Sequence, residues 1–266
     1  MNLSYRWSVL FITTVGSFVG TFSSSIVNIA IPIIAEDLKV GFFLVQWIVL
    51  AFFLSLSAPL IIFGRLGDLK GRKRLLTLGF VTFALGSALC SISRSGEELL
   101  LYRLVQGLGA ALLIVNGLAL LADVIPADER GKAFGINVTG VYLGLTTGPV
   151  VGGFLLSAFG WQSIFLLNVP LGLFMGTLAH LKLEEPFKGE VEGFDVKGSF
   201  TLPVWVALLI VGSSLGSREG LLSLPSILLF SHALTIAILF MAIEARTNFP
   251  LLDPALLKTV PSLRQT

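Results

Sequence analysis

Gly64-Arg65-Leu66-Gly67-Asp68-Leu69-Lys70-Gly71-Arg72-Lys73-Arg74 sets six charged residues and three glycines into eleven positions. On either side the charge disappears: nothing charged lies between Lys39 and Arg65, or between Arg74 and Arg94. A helix needs roughly 20 apolar residues to cross the hydrocarbon core of a bilayer. The stretch therefore reads as a charged loop between two membrane spans, 2 and 3. Its glycines allow close backbone approach and a sharp turn, and a carboxylate among cations can exchange partners between two arrangements. Such a loop either only sets topology or also works as a conformational switch, through Gly64, Gly67, Asp68, Gly71 and Arg72.

The same punctuation runs along the whole chain. Span 1 lies between Arg6 and Glu36, and span 4 covers about residues 99–123 with Arg103 near its start. Lys132 to Lys182 is uncharged, too long for one helix, and broken at Gly160-Trp161 into spans 5 and 6. Spans 7 and 8 fill residues 197–218 and 219–244. The first apolar run is too long for a signal peptide and has no small-residue cleavage site, so it is expected to stay in the mature protein. The chain is 55% hydrophobic and 13% charged, where soluble domains carry about 25% charged residues. These features predict an all-α, multi-pass integral membrane protein whose solvent is the lipid bilayer.

The formal net charge of +2 is small and the basic residues are scattered, which excludes nucleic acid as a partner. The single cysteine, Cys90, sits in an apolar run and reads as a small hydrophobe. Lys and Arg favour the cytoplasmic side of a membrane. With the N-terminus inside, fourteen of the 18 basic residues fall in the cytoplasm; Lys39, Arg94 and Arg218 lie outside and Arg103 lies within the membrane. Both termini are expected in the cytoplasm.

Internal similarity points to a repeat. Gly64-x-Leu66-x-Asp68-x-x-Gly71 after span 2 matches Gly153-x-Leu155-x-Ser157-x-x-Gly160 after span 5, and Ile26-Val27-Asn28 matches Ile114-Val115-Asn116. Spans 1–3 and 4–6 then read as two inverted three-span repeats, the arrangement that places transport sites at repeat interfaces; chance recurrence of short apolar strings is the other reading. Within span 4, Leu99-x-x-x-Arg103-x-x-Gln106-Gly107-x-Gly109 carries a charge that is costly in lipid unless it meets a polar cavity or a partner, or snorkels to the surface. In span 5, Gly140, Gly144, Gly148 and Gly152 recur at every fourth position with Gly153 beside them, and Pro149 removes the amide that would bond the Leu145 carbonyl. That stripe suits tight packing against a neighbouring helix, a moving seam, or both. His180 and His232 stand singly and read as structural, and no nucleophile triad, paired carboxylates or metal-spaced cluster supports an enzyme.

The charged stretch, with its Gly-x-x-Gly-Asp-x-x-Gly-Arg-Lys-Arg order, resembles the signature between spans 2 and 3 of the major facilitator superfamily, and the Arg103 motif resembles that superfamily's second motif. Gly144-x-x-x-Gly148-Pro149-x-x-Gly152-Gly153 is similar to the motif that marks its antiporters. Together with Gly160-Trp161 through Gly172 and Asn28 through Pro32, these features resemble the fourteen-span drug:proton antiporters, which carry two extra spans between two six-span halves. The resemblance implies a six-span N-terminal bundle over residues 1–183, a cytoplasmic linker at 184–197, two extra spans over 198–246, and a tail at 247–266 that leads toward a second half. It implies proton-coupled efflux of drug-like or other small organic compounds by alternating access in the cell membrane, without a cofactor. Arg103, Gln106, Asn28 and Asn116 would serve transport and coupling.

One position departs from that family. An aspartate usually precedes the asparagine of span 1 by five residues, and here Ser23 stands there. A proton-independent facilitator therefore stays open, as does a truncated, non-transporting membrane scaffold. The polar run Ser23–Ser25, Asn28 and Asn116 is expected to face the missing half, so that the chain would seek that half or a second copy of itself.

Overall fold

The computed structural model describes residues 3–185, 196–245 and 247. Regular structure among them is entirely helical. In chain order the elements are α1 (Leu3–Asp37), α2 (Phe42–Ser57), α3 (Leu60–Lys70), α4 (Arg72–Ser91), α5 (Gly96–Val124), α6 (Arg130–Phe159), α7 (Gln162–Leu166), α8 (Asn168–Lys182), α9 (Val196–Glu219) and α10 (Leu224–Glu244). Among the described residues seven spans are long and apolar enough to cross a membrane, or eight when α2 and α3, bent by 40°, count as one. The charge-free intervals thus correspond to spans 1 (α1), 2 (α2–α3), 3 (α4), 4 (α5), 5 (α6), 6 (α7–α8), 7 (α9) and 8 (α10).

Span 2 corrects the reading of the charged stretch. Its helix breaks at Ala58-Pro59, where proline cannot donate to the preceding turn and disfavours helical geometry in its neighbour, and resumes as α3 through Lys70. Most of the expected loop is therefore helical. Gly71 alone turns the chain, with φ 107°, and α4 starts at the next residue. Packing holds α3 in place: a Cβ on Gly64 would lie 3.1 Å from Val115, and one on Gly67 would meet the Asn116 carboxamide. The matching glycine, Gly160, ends α6 with φ 77° and its N–H bonded to the Leu156 carbonyl. Both halves of the sequence repeat thus stop a span with glycine in a backbone region that other residues rarely adopt.

The chain divides into two compact units, Met1–Gly189 and Glu190–Thr266. In the first, α1 packs along α6 and α5 lies between α2 and α4, while α4 also packs on α8. Exchanging spans 1–3 with spans 4–6 turns the span 1–span 5 contact into the span 4–span 2 contact, as inverted repeats require. Apolar side chains form two adjoining cores along the bundle. One gathers Val9, Phe80, Leu113, Leu120 and Met175; the other gathers Ile26, Ile48, Leu99, Trp161 and Phe165. At the far end of span 1, the buried Trp161 donates its indole N–H to the Asp37 carboxylate at 2.7 Å, tying α1 to the start of span 6. Large apolar residues such as Leu85, Tyr142, Phe154 and Phe174 point outward, as lipid-facing positions do.

The second unit is a hairpin of α9 and α10 that turns at Gly220, with Gly212 against Leu229 and Phe230. Residues 186–195, most of the expected linker, and residues 248–266 of the expected tail lie outside the described residues.

Candidate functional site

Arg103 is completely buried. It does not snorkel. One turn of α5 beyond it stands Gln106, and Arg103 Nη1 donates to Gln106 Oε1 at 2.5 Å. The Gln106 amide donates in turn to Ser23 Oγ in α1 at 3.1 Å and to Ser87 Oγ in α4 at 2.7 Å. Arg103 Nε reaches the Ile48 carbonyl of α2 at 3.5 Å, and the guanidinium lies 4.1 Å from the ring centre of Phe52 and 6.0 Å from that of Phe165. Side chains from spans 1, 2, 3, 4 and 6 thus converge on the Arg103–Gln106 pair, and the polar partners of the cation are neutral. A desolvated cation over an aromatic face gains about 2 kcal/mol, while Arg103 Nη2 is buried without any hydrogen-bond partner.

Glycines make this convergence sterically feasible. A Cβ on Gly86 would come 2.6 Å from the Gln106 backbone, and one on Gly109 would strike the backbone of Phe83, so α4 and α5 touch main chain to main chain. Gly107 meets Phe52 and Ser55 of α2 in the same way. A helix face of small residues is what membrane packing favours, because close backbone approach replaces the missing hydrophobic drive.

The second cluster lies at the other end of α5, and it brings together the acid and base singled out in the charged stretch. Arg72 donates to Asp68 Oδ1 from Nε at 3.1 Å and from Nη2 at 2.8 Å, and to the Ala119 carbonyl from Nη1 at 2.8 Å. The same Nη1 pairs with the Asp123 carboxylate. One guanidinium therefore clamps the end of span 2 and the start of span 3 onto the end of span 4, between two carboxylates. Glu185 adds a third acid nearby: it accepts from the Lys73 amide at 3.2 Å and sits where a Cβ on Gly71 would be.

The glycine stripe of α6 lies along α1. Cβ atoms on Gly140, Gly144, Gly148 and Gly152 would run into Thr14, Phe18–Phe22, Ser25–Ile26 and Ile26. Three polar links share one register along these helices: Ser17 to Asn137 at 3.1 Å, Thr21 to the Val141 carbonyl at 3.1 Å, and Ser25 to the Leu145 carbonyl at 2.8 Å. The constant offset of 120 residues makes α1 and α6 parallel. A Cβ on Gly153, in contrast, would meet nothing within 4 Å, so this glycine is no part of the contact.

Two expectations about polar residues need correction. Asn116 does not face outward: it is buried, donating to the Leu112 and Phe63 carbonyls at 3.1 and 3.4 Å beside Gly67. Thirteen residues of helix, roughly 20 Å, separate it from Arg103. Ser23 is likewise fully buried in the Gln106 network. Asn28 alone of the three is exposed. Buried polar groups find partners inside a bundle more cheaply than in lipid, and the faces they occupy follow from helix rotation, which the local sequence does not specify.

Residues that sequence reasoning passed over complete the site: Ser87, Asp123, Asn137 and Glu185. One signal was available. Thr14, Ser17, Thr21 and Ser25 recur every three or four residues along span 1, a hydroxyl face matching the glycine face of span 5. Among the described residues no group of three or more His, Cys, Asp or Glu side chains is placed to hold a metal.

Known proteins similar to this chain include transporters and resistance proteins. The chain is 37% identical over 230 residues to the riboflavin transporter RibZ of Clostridioides difficile, covering 86% of this chain and 50% of that protein. It is 34% identical to the multidrug resistance protein Stp of Mycobacterium tuberculosis, covering 94% and 47% respectively. To the tetracenomycin C resistance and export protein of Streptomyces glaucescens it is 32% identical, covering 96% and 48%. The chain spans about half the length of these relatives. In fold it is similar to a bacterial homologue of the lysosomal transporter Spinster in an inward-facing state, with TM-score 0.62, 20% identity, and 90% of this chain and 61% of that one covered. It is also similar to the proton:xylose symporter XylE, with TM-score 0.62, 16% identity, and 92% and 55% covered. The model of the Major Facilitator Superfamily matches residues 13–259, and the chain belongs to that family.

Proposed function

We propose that this chain forms a six-span bundle and two further spans of a transporter that exports small organic compounds across the cell membrane by alternating access, with both termini in the cytoplasm. The buried Arg103–Gln106 cluster carries this reading. A guanidinium with no carboxylate partner among the described residues is an expensive feature inside a membrane bundle, and such charges mark substrate and ion pathways. The names of the resistance and export proteins to which the chain is similar support export, and the Lys and Arg bias supports the orientation. Alternating access needs a second bundle against which this one rocks. A second copy of this chain or another polypeptide segment would supply it.

Coupling has two readings. The span 5 glycine motif favours exchange for protons. Ser23 favours a proton-independent facilitator: in the Arg103 cluster, Gln106, Ser23 and Ser87 cannot titrate, and the described acids of the first unit lie at helix ends or in turns. Reconstitution of the assembled transporter, this chain together with its second bundle, into proteoliposomes with an organic dye such as ethidium tests both. Accumulation driven by an imposed pH gradient and abolished by a protonophore establishes antiport, whereas equilibration indifferent to the protonophore establishes facilitation. Dye movement no faster than in Arg103→Ala vesicles overturns the proposal.

A further inference from the structure

The geometry points to a binding site for an anionic phospholipid in a groove between the start of α4 and the end of α8, formed by Lys73, Arg74, Thr77 and His180 with Leu78 and Val81 as its apolar wall. The groove encloses about 550 Å³. It lies apart from the Arg103 cluster and from the α1–α6 seam.

Charge comes first. Lys73 and Arg74 have no ion-pair partner among the described residues. The one acid lining the groove, Glu185, accepts from the Lys73 backbone amide through Oε1 at the start of α4, while its Oε2 is buried without a hydrogen-bond partner. Two cations and an imidazole therefore line the groove against a single carboxylate. The Thr77 hydroxyl adds a buried oxygen without a hydrogen-bond partner, a group that a phosphate oxygen would satisfy. Basic pockets between spans at a membrane surface suit anionic headgroups.

The apolar wall distinguishes a lipid from a free anion. Leu78, Val81 and Leu85 are 51%, 45% and 55% exposed and follow one another at i, i+3 and i+7 on one face of α4. They form a strip of roughly 10 Å that leads from the cations toward the bilayer interior. A headgroup at Lys73 and Arg74 would direct an acyl chain along this strip, while a soluble phosphate would leave it unused.

Binding can be read by native mass spectrometry of the purified chain in detergent, titrated with dioleoylphosphatidylglycerol and with dioleoylphosphatidylcholine. The phosphatidylglycerol should bind at least tenfold more tightly. Each basic group at a membrane surface is worth roughly a fivefold factor in affinity, so Lys73→Gln/Arg74→Gln should weaken it roughly 30-fold, whereas Lys132→Gln, remote from the groove, should leave it unchanged. Equal affinity for the two lipids, or equal losses in the Lys132 variant, would overturn the site. Glycerol phosphate that competes as well as the lipid would assign the groove to a soluble anion and refute a lipid. Photoactivatable phosphatidylglycerol gives a test that needs no variant: its adducts on the wild-type chain should map to residues 73–85 of α4 and to the end of α8, and adducts confined elsewhere would refute the proposal.

Discussion

Ser25 of α1 donates its hydroxyl to the Leu145 carbonyl of α6 at 2.8 Å, and Leu145 is the residue that Pro149 deprives of its helical hydrogen bond. The proline in span 5 and the serine in span 1 are therefore a matched pair across the helix seam. Ser25→Ala should cost about 0.6 kcal/mol, the average for interhelical hydrogen bonds in membranes, and no more than about 1.7 kcal/mol. In a Pro149→Ala background, where a backbone amide is restored and can bond the Leu145 carbonyl within the helix, that cost should shrink. A double-mutant cycle of unfolding free energies in detergent checks the coupling, and identical costs in both backgrounds would count against it.

The glycine motif contains residues of two kinds. A Cβ on Gly148 would lie 2.8 Å from that of Ser25, while Gly153 has open space around it. Gly148→Ala should push α1 from α6 and destabilise the bundle by about 1–3 kcal/mol, as overpacking does. Gly153→Ala should be neutral, or stabilising by up to about 1 kcal/mol through helix propensity. Comparing the thermal unfolding of the two variants decides the matter, and equal losses would show that the motif acts as a single block.

Arg103 sits among neutral partners, and its proposed role in transport is separable from folding. Arg103→Ala should abolish dye flux in proteoliposomes while membrane insertion and monodispersity persist. Arg103→Lys should retain part of the flux, since it keeps the charge and loses the planar fork that reaches Gln106 and Ile48 together. Wild-type flux in the alanine variant would remove Arg103 from the mechanism.

The Asp68–Arg72–Asp123 clamp joins the ends of three spans. If it holds one state of the transport cycle, Asp68→Asn and Asp123→Asn should shift the balance between inward- and outward-open forms in the same direction, with substrate affinity within each form unchanged. Accessibility labelling of single cysteines on both membrane sides measures this. A change in one variant only would show that Arg72 serves a single partner.

Much of the architecture was legible in one dimension. Spans announce themselves by the absence of charge, because a charged residue in hydrocarbon costs too much to occur by accident, and the repeat showed in Gly71 and Gly160, because a chain that must turn with positive φ has few residues to choose from. Local signals failed where tertiary contact decides. Gly64 through Lys70 looked like a loop for its charge density, yet α5 packs against Gly64 and Gly67 and keeps the stretch helical.

The candidate site divides along the same line. Span length alone predicts Arg103 within a span, and the four-residue spacing of glycines predicts the glycine face of α6. Which groups surround the Arg103–Gln106 pair follows from neither: Ser23 and Ser87 lie 83 and 19 residues from Gln106, to which they are hydrogen-bonded, and their meeting depends on how each helix is rotated about its axis. The same holds for Asn28 and Asn116, alike in local sequence, one exposed and the other buried. Hydropathy specifies that a segment crosses the bilayer, but both lipid and helix interior accept apolar side chains, so only the packing of small residues against neighbouring backbones selects the face that turns inward.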